Sequence, residues 1–366
     1  MRKYTILILA LVVFLYLFWP YQSSQVDLLP PADGIDMTAI ERFWNVADYL
    51  EHNTEPPEEA WGALFFTPGY GRLIDTGLDI DAFKSEMTQV FMPSFSGDLE
   101  KLNKADLDTS LRHFINIRDH RARYRSYSNH LTEIPILSRS IDLSRKYLPE
   151  GIVENYPQPA VAFVFHPMQP DYGKPIITDL VYAHQEGNLF KYHLGHYFHH
   201  YYREKLLVFD WAEISPDELD LCWVLDRIQA EGLANQINER YILFGNGPQE
   251  DTDRAIEWHI QLLRAPRFIP LLDSMLVEMA RHPARRRELG KRIKASLPLE
   301  GHAVGYFMAS VILGVFYDAG LTRQVGNPFA YLFNYNLAAK SRFSDHPPFS
   351  KEAENYILDL ERRYVR

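Results

Sequence analysis

The chain has 366 residues, 46% of them hydrophobic and 23% charged, which gives an ordinary globular protein room for one large or two modest domains. The net charge of −10 argues against a nucleic-acid partner, because binding to nucleic acid requires a basic surface. Cys222 is the single cysteine, so an internal disulfide is excluded and any metal must be held by histidines and carboxylates.

The N-terminus has the pattern of a membrane-targeting segment. Arg2 and Lys3 precede the fifteen uncharged residues Thr5–Trp19, and Pro20 follows them. This run is short for a spanning helix and long for the core of a signal peptide, and no convincing cleavage site follows it. We predict that residues 1–21 are an uncleaved signal-anchor, which leaves the globular part extracytoplasmic, in the periplasm. The alternative is a cleaved signal peptide, which would make the protein secreted.

A linker at residues 22–36 and a helical N-terminal region at residues 37–150 are predicted next. Between Ile40 and Leu50 the apolar residues recur at intervals of three and four, which is typical of an amphipathic helix. The proline and glycines of Thr67–Gly71 predict a turn. Nothing in this region has the pattern of a catalytic site, and its role stays open.

Residues 151–366 are predicted to form a second domain that begins with strands. Pro159–Phe165 and Pro175–Val181 are short runs rich in β-branched and aromatic residues, so each predicts a strand. An edge strand of such a sheet can pair with an extended peptide. A helix is predicted to follow over Lys191–Arg203.

The Lys191–Arg203 stretch holds four of the chain's 14 histidines. At about 100° per residue, a helix places His193, His196 and His200 within about 60° of one another. His196 and His200 have the i, i+4 spacing with which a helix offers two imidazoles to one zinc ion.

Glu231 is the candidate third ligand. Ser215–Glu218 has a serine, a proline and a glutamate in the order of a capping box, which predicts the start of a helix that runs to Glu231 and beyond. The small residues Gly232 and Ala234 follow the glutamate.

These residues resemble the gluzincin clan of zinc peptidases, and in particular an uncharacterised bacterial family of zinc-dependent peptidases. The stretches that carry the resemblance, within roughly residues 155–340, are Thr178–Leu180, Glu231–Ala234 and Gly305–Ala309. The resemblance implies an α+β, mainly helical, zincin-like domain with a small mixed sheet and an active-site helix. It also implies Zn²⁺ as the cofactor, with His196, His200 and Glu231 as ligands and water in the fourth position. In such enzymes the small residues after the glutamate let its helix approach the histidine helix closely.

The resemblance also assigns a residue that supports the ligands. Asn235 stands one turn after Glu231, where members such as thermolysin carry an aspartate that orients a ligand histidine. An amide can still accept that hydrogen bond. Helix position, and not the resemblance, places Glu204 one turn after His200 on the same face, where it is better placed to orient His200 than to reach the water.

Tyr197 departs from the family pattern. Gluzincins carry their general base, a glutamate, directly after the first ligand histidine, and this chain has Tyr197 there. The unperturbed pKa of tyrosine is about 10, so it is a poor base at neutral pH. Loss of a general base lowers the rate by on the order of 10²–10⁴. His193, one turn earlier, is a candidate for the base or for a further ligand.

His302 and Tyr306 are candidates for stabilising a tetrahedral oxyanion, as a histidine or tyrosine commonly does in zincins; simple core packing is the alternative. Two functions follow from this sequence. The first is a membrane-anchored zinc metallopeptidase-like protein that acts on a peptide or protein substrate, with activity impaired by the missing glutamate. The second is a non-catalytic pseudopeptidase that binds zinc or a peptide as an interaction module of the cell envelope.

Overall fold

A computed structural model describes residues 34–99, 107–168, 173–244, 252–341 and 345–365. The predicted signal-anchor lies outside these residues, as does most of the predicted linker. The fold is α+β and mainly helical with one small sheet, which confirms the predicted class.

The sheet has three short strands, β1 (Ile35–Asp36), β2 (Val161–Val164) and β3 (Ile176–Asp179), in the order β1-β2-β3. Both pairs are parallel, so the described sheet is parallel and not mixed. β1 falls at the end of the segment predicted to be a linker. β3 is an edge strand, but its residues are at most 3% exposed. The described structure therefore does not leave this edge open to a substrate peptide.

Apolar periodicity accounts for the first helix, α1 (Thr38–Glu51), which buries the predicted face from Ile40 to Leu50. The predicted turn at Thr67–Gly71 instead begins a helix, because the Thr67 side chain accepts a hydrogen bond from the Tyr70 amide and Pro68 takes the first helical position. The helices that follow α1 are α2 (Glu58–Phe65), α3 (Pro68–Asp75), α4 (Ile80–Phe91), α5 (Pro93–Leu99), α6 (Thr109–Asp119), α7 (Arg121–Glu133), α8 (Ile136–Arg145) and α9 (Ile152–Asn155).

The second half of the chain follows the sheet with further helices. They are α10 (Leu180–Glu186), α11 (Phe190–Glu204), α12 (Leu219–Ala234), α13 (Glu239–Phe244), α14 (Thr252–Arg281), α15 (Arg286–Ser296), α16 (His302–Thr322), α17 (Pro328–Ala339) and α18 (Lys351–Tyr364). Side chains of Asn327 and Ser350 cap α17 and α18, as their sequences predict.

The predicted capping box before α12 does not form. α12 begins at Leu219, and Glu218 makes no side-chain hydrogen bond to the start of its own helix. Its carboxylate instead accepts hydrogen bonds from Tyr356, Arg363 and Tyr364 of α18. A long-range contact of opposite charge has displaced the local cap.

One hydrophobic core joins the described residues on both sides of residue 150. Phe43 of α1, Phe163 of β2 and Phe198 of α11 all belong to it. At Gly195 the histidine helix α11 lies so close to α8 that an added Cβ would be 2.9 Å from the Ser140 carbonyl oxygen. The N-terminal helices thus hold α11 in place.

Pro298–Thr322, which contains α16, is the segment of the described residues that is long and apolar enough to cross a membrane. A buried core helix passes the same test of length and composition, and 56% of the apolar window is buried. α16 packs against α12, α14 and α17, as its buried-looking sequence predicts.

Candidate metal centre

Two neighbouring helices bring three potential metal ligands together. His196 and His200 lie one turn apart on α11, and α12 supplies Glu231. The three residues are 6%, 3% and 1% exposed. Their donor atoms all lie within 4.8 Å of one another. Among the described residues, this is the group of histidines and acidic residues close enough to share one metal ion.

The spacing of the donor atoms suits one small cation. The Nε2 atoms of His196 and His200 are 2.9 Å apart, and each lies 3.5 Å from Oε2 of Glu231. Tetrahedral zinc with bonds of about 2.0–2.2 Å places its donors about 3.3–3.6 Å apart. The two distances to the carboxylate fall in that range, and the histidine pair is slightly closer.

Glu231 supplies a separate test of whether these residues fit a metal. Its Oε2 atom is buried and makes no hydrogen bond of regular geometry among the described residues, although ring nitrogens of His196, His200 and His302 lie 3.1–3.5 Å from it. A buried carboxylate oxygen without a well-formed hydrogen bond is costly unless a cation satisfies it. Two imidazole nitrogens and one carboxylate oxygen are also donors that zinc accepts, so the residues fit the ion.

The ionisation of the group matches what a metal requires. Burial lowers the pKa of His200 to about 4, although nearby Glu231 acts in the opposite direction. Burial alone would raise the pKa of the Glu231 carboxyl, but His200 and His302 hold it well below its usual range. At neutral pH the imidazole of His200 is therefore neutral and Glu231 is a carboxylate, which are the forms that bind zinc.

Two residues that the sequence did not single out hold the ligands in orientation. Nδ1 of His196 lies 3.1 Å from Oδ1 of Asn238, which leaves Nε2 for the metal. Nη1 of Arg227 lies 2.9 Å from Oε1 of Glu231, so the guanidinium occupies the carboxylate oxygen that faces away from the histidines. The i, i+4 spacing of Arg227 and Glu231 could have predicted this pair. Asn238 lies beyond the end of α12, where helical periodicity gives no signal.

Asn235, predicted to orient a ligand histidine, lies against His302 instead. Its Nδ2 atom is 3.1 Å from Nδ1 of His302. The same nitrogen of His302 lies 3.1 Å from Oε2 of Glu231, and the side chain is 35% exposed. The His302 side chain is thus more exposed than that of Arg227, which also contacts Glu231 and is 17% exposed.

A close contact between α12 and α16 positions His302. A Cβ at Gly232 would lie 2.6 Å from the Gly305 carbonyl oxygen, so these helices meet through two glycines. The small residue after Glu231 thus admits α16, whereas the sequence predicted an approach to the histidine helix.

The comparison with known protein families agrees with this donor set. Residues 61–343, more than half of the chain, match the family described as "Putative zinc dependent peptidase (DUF5700)". The chain belongs to this family. No curated protein and no solved structure matches it. The family match begins well before roughly residue 155, where the resemblance was predicted to begin, and so includes much of the helical N-terminal region.

The remaining candidates for this zinc peptidase-like site lie around the ligands. Tyr197 is 9% exposed, and its ring meets that of His196 edge to face at 5.6 Å between centroids. Nε2 of His193 lies 3.0 Å from the Glu186 carboxylate, so the structure does not bring this histidine into the ligand group. The catalytic roles assigned to both residues stay predictions.

Tyr306 and Glu204 are the last two candidates. The Tyr306 ring packs on Trp258 at 6.1 Å between centroids, within a small apolar cluster. Burial raises its pKa to about 12, so the phenol keeps its proton and can donate it. Glu204 is exposed and lines a groove next to His200.

Proposed function

We propose that this chain is a membrane-anchored, extracytoplasmic zinc metallopeptidase-like protein whose peptidase activity is low because the usual general base is missing. The observation that carries the proposal is the convergence of His196, His200 and Glu231, three buried residues whose donor atoms all lie within 4.8 Å of one another. Membership of a family described as zinc dependent supports the same metal.

Each residue of the site has a part in this proposal. His196, His200 and Glu231 hold the ion, while Asn238 and Arg227 orient two of these ligands. Bound zinc supplies Lewis-acid chemistry, which activates water and polarises a peptide carbonyl. His302 can reach a substrate oxygen, since its side chain is 35% exposed, more than those of the other residues that pair with Glu231.

The substrate is a peptide or protein outside the cytoplasm. This part of the proposal rests on the N-terminal run Thr5–Trp19 and on the two basic residues before it. Nucleic acid is not a partner in this proposal, because the net charge is −10.

A second function is favoured by the environment of Tyr197. The position of the general base holds a phenol that packs into the core, and the three ligands are at most 6% exposed. A cleft that has lost its base and closed around its metal is suited to binding a peptide or envelope partner without cleavage. In that case zinc stabilises the fold.

The metal is tested by analysis of the purified protein. We expect about one zinc per chain. His196→Ala and Glu231→Ala should each lose the zinc, because each leaves two protein ligands, which cannot complete the site. His282→Ala is the matched control, since His282 is exposed and lies outside the ligand group. Metal-free protein whose stability does not change with added zinc would contradict the proposal.

Peptide cleavage separates the two functions once zinc is present. Cleavage by the zinc-loaded chain that disappears in His196→Ala supports the peptidase. A zinc-loaded chain that binds peptides and cleaves none supports the non-catalytic role.

A further inference from the structure

The outward face of α14 carries a row of exposed aliphatic side chains. At about 100° per residue, Ile256, Ile260, Leu263 and Leu271 lie within about 80° of one another. They are 56%, 42%, 78% and 37% exposed. At 1.5 Å per residue this row, called here the aliphatic stripe, is about 22 Å long.

None of the four side chains of the aliphatic stripe belongs to the hydrophobic core of the described residues. Ala265, Ile269, Leu272 and Leu276 are 0% exposed, and their positions lie on the opposite side of the same helix. α14 therefore has two apolar faces, one buried and one in contact with solvent. Single exposed leucines are ordinary on a protein surface, whereas an exposed apolar row is typical of an interaction site.

Two arginines indicate what kind of surface the aliphatic stripe can contact. Arg267 falls within the angular range of the aliphatic stripe and Arg264 lies at its edge, and both are exposed. Neither has an ion-pair partner in the part of the chain that the structure describes. Cations beside exposed aliphatic side chains match a surface with negative headgroups over an apolar interior, because the aliphatic groups enter the boundary layer while the guanidinium groups stay with the phosphates.

We propose that the aliphatic stripe lies on the surface of an anionic lipid bilayer. The inference rests on the proposed membrane location, which places the globular part beside the bilayer that holds Thr5–Trp19. A second copy of the chain fits less well. Pairing two stripes would bring Arg264 and Arg267 of both copies together, and like charges in one interface oppose association.

Site-specific labelling of the full-length chain tests this docking surface. Cys222 is 0% exposed, so a cysteine introduced on the surface is the accessible thiol. Leu263→Cys places an environment-sensitive fluorophore on the aliphatic stripe. Leu337→Cys is the matched control, because Leu337 is a 58% exposed leucine on α17 and lies outside the stripe.

Both labelled chains are reconstituted in vesicles that contain phosphatidylglycerol. We expect the label at position 263 to shift its emission to the blue and to lose access to an aqueous quencher, while the label at 337 does neither. Adding Arg264→Glu and Arg267→Glu to the Leu263→Cys chain should restore most of the quenching, since each basic residue at an anionic surface contributes about 1 kcal/mol, or roughly fivefold in affinity.

Each other outcome counts against a different part of the proposal. If the chain is found with the vesicles but the label at 263 is quenched as readily as that at 337, the stripe does not contact the bilayer. The proposed N-terminal anchor is then unaffected. A chain that stays in solution would contradict both the proposed anchor and the proposed contact of the stripe with the bilayer. Protection at 263 that appears without vesicles and rises with protein concentration assigns the stripe to a second copy. Zinc content and peptide cleavage, measured on the same chains, report on the metallopeptidase proposal separately.

Discussion

At the scale of single residues, Tyr197 is predicted to limit the peptidase activity of the zinc site. It packs beside His196 at the position where gluzincins carry their base. We predict that Tyr197→Glu makes peptidase activity appear or rise by on the order of 10²-fold, because a carboxylate there can take a proton from the reacting water. The measurement is the rate of peptide cleavage at equal zinc content.

Tyr197→Gln is the control for this change. Glutamine has nearly the shape of glutamate and no basic group, so it should give no gain. Efficient cleavage by the unmodified chain, with no gain from glutamate, would mean that another residue is the base. His193 would then be the next to mutate, although it now contacts Glu186.

Asn238 gives a second prediction at this scale. Its Oδ1 atom lies 3.1 Å from Nδ1 of His196 and favours the tautomer that would leave Nε2 free to bind a metal. Asn238→Ala should lower zinc affinity about 10–100-fold, as loss of a partner of a ligand histidine commonly does. Competition with a zinc chelator measures the affinity.

Asn235→Ala is the matched control for that experiment. Asn235 contacts His302 and not a ligand histidine, so its loss should leave zinc affinity nearly unchanged. Equal losses for the two variants would return Asn235 to the role that the family resemblance assigns to it.

What the sequence could predict at the site follows from the range of each contact. His196 and His200 share one helix, so their spacing alone predicts that they converge. Glu231 was added through the family resemblance, and the structure brings it to the two histidines. The contacts of Asn238 with His196, and of Asn235 with His302, depend on how the chain continues after α12. No local period encodes them.

At the scale of elements, the contact of α12 with α16 fixes His302 beside Glu231. We predict that Gly232→Ala lowers the free energy of unfolding by about 1–3 kcal/mol, because the added methyl group would lie 2.6 Å from the Gly305 carbonyl oxygen. Gly314→Ala on α16 is the control. Nothing lies within 4 Å of its Cβ position, so alanine should be neutral or stabilise the helix by up to about 1 kcal/mol. Equal stability of the two variants in denaturant titrations would contradict the close contact.

The starts of α18 and α12 show which capping residues predicted from the sequence form their hydrogen bonds in the fold. Ser350 caps α18 as predicted, because its Oγ atom accepts a hydrogen bond from the Ala353 amide at 3.3 Å. Glu218 has the sequence of a cap and does not act as one, because cationic and phenolic groups of α18 bind its carboxylate. A sequence pattern cannot foresee a competitor that lies more than a hundred residues away.

At the scale of the whole molecule, this Glu218 contact connects α12 to a helix outside the family match. The match ends at residue 343, and α18 spans Lys351–Tyr364. Burial alone would raise the pKa of Glu218, but hydrogen bonds from Arg363, Tyr364 and Tyr356 lower it to about 2. The C-terminal helix is therefore attached to the start of the helix that supplies Glu231.

The sign of the pH effect follows from the lowered pKa. In the folded chain the pKa of Glu218 is about 2, below the ordinary 4.5. Its ionised form thus stabilises the fold fully above about pH 4.5, and this contribution is lost as the pH falls towards 2. At 1.36 kcal/mol for each pH unit, the shift corresponds to about 3 kcal/mol.

We predict that Glu218→Gln lowers the free energy of unfolding by about 3 kcal/mol at pH 7 and by much less near pH 2, where wild-type Glu218 is itself half protonated. Urea titrations from pH 7 to pH 2 measure the difference. Glu352→Gln is the control on α18, because Glu352 pairs with Arg281 at the surface and an exposed ion pair contributes little. If the difference in free energy of unfolding between wild type and Glu218→Gln stays constant with pH, the side chain acts through packing and not through its charge. That result would contradict the electrostatic link between α18 and the zinc-binding helices.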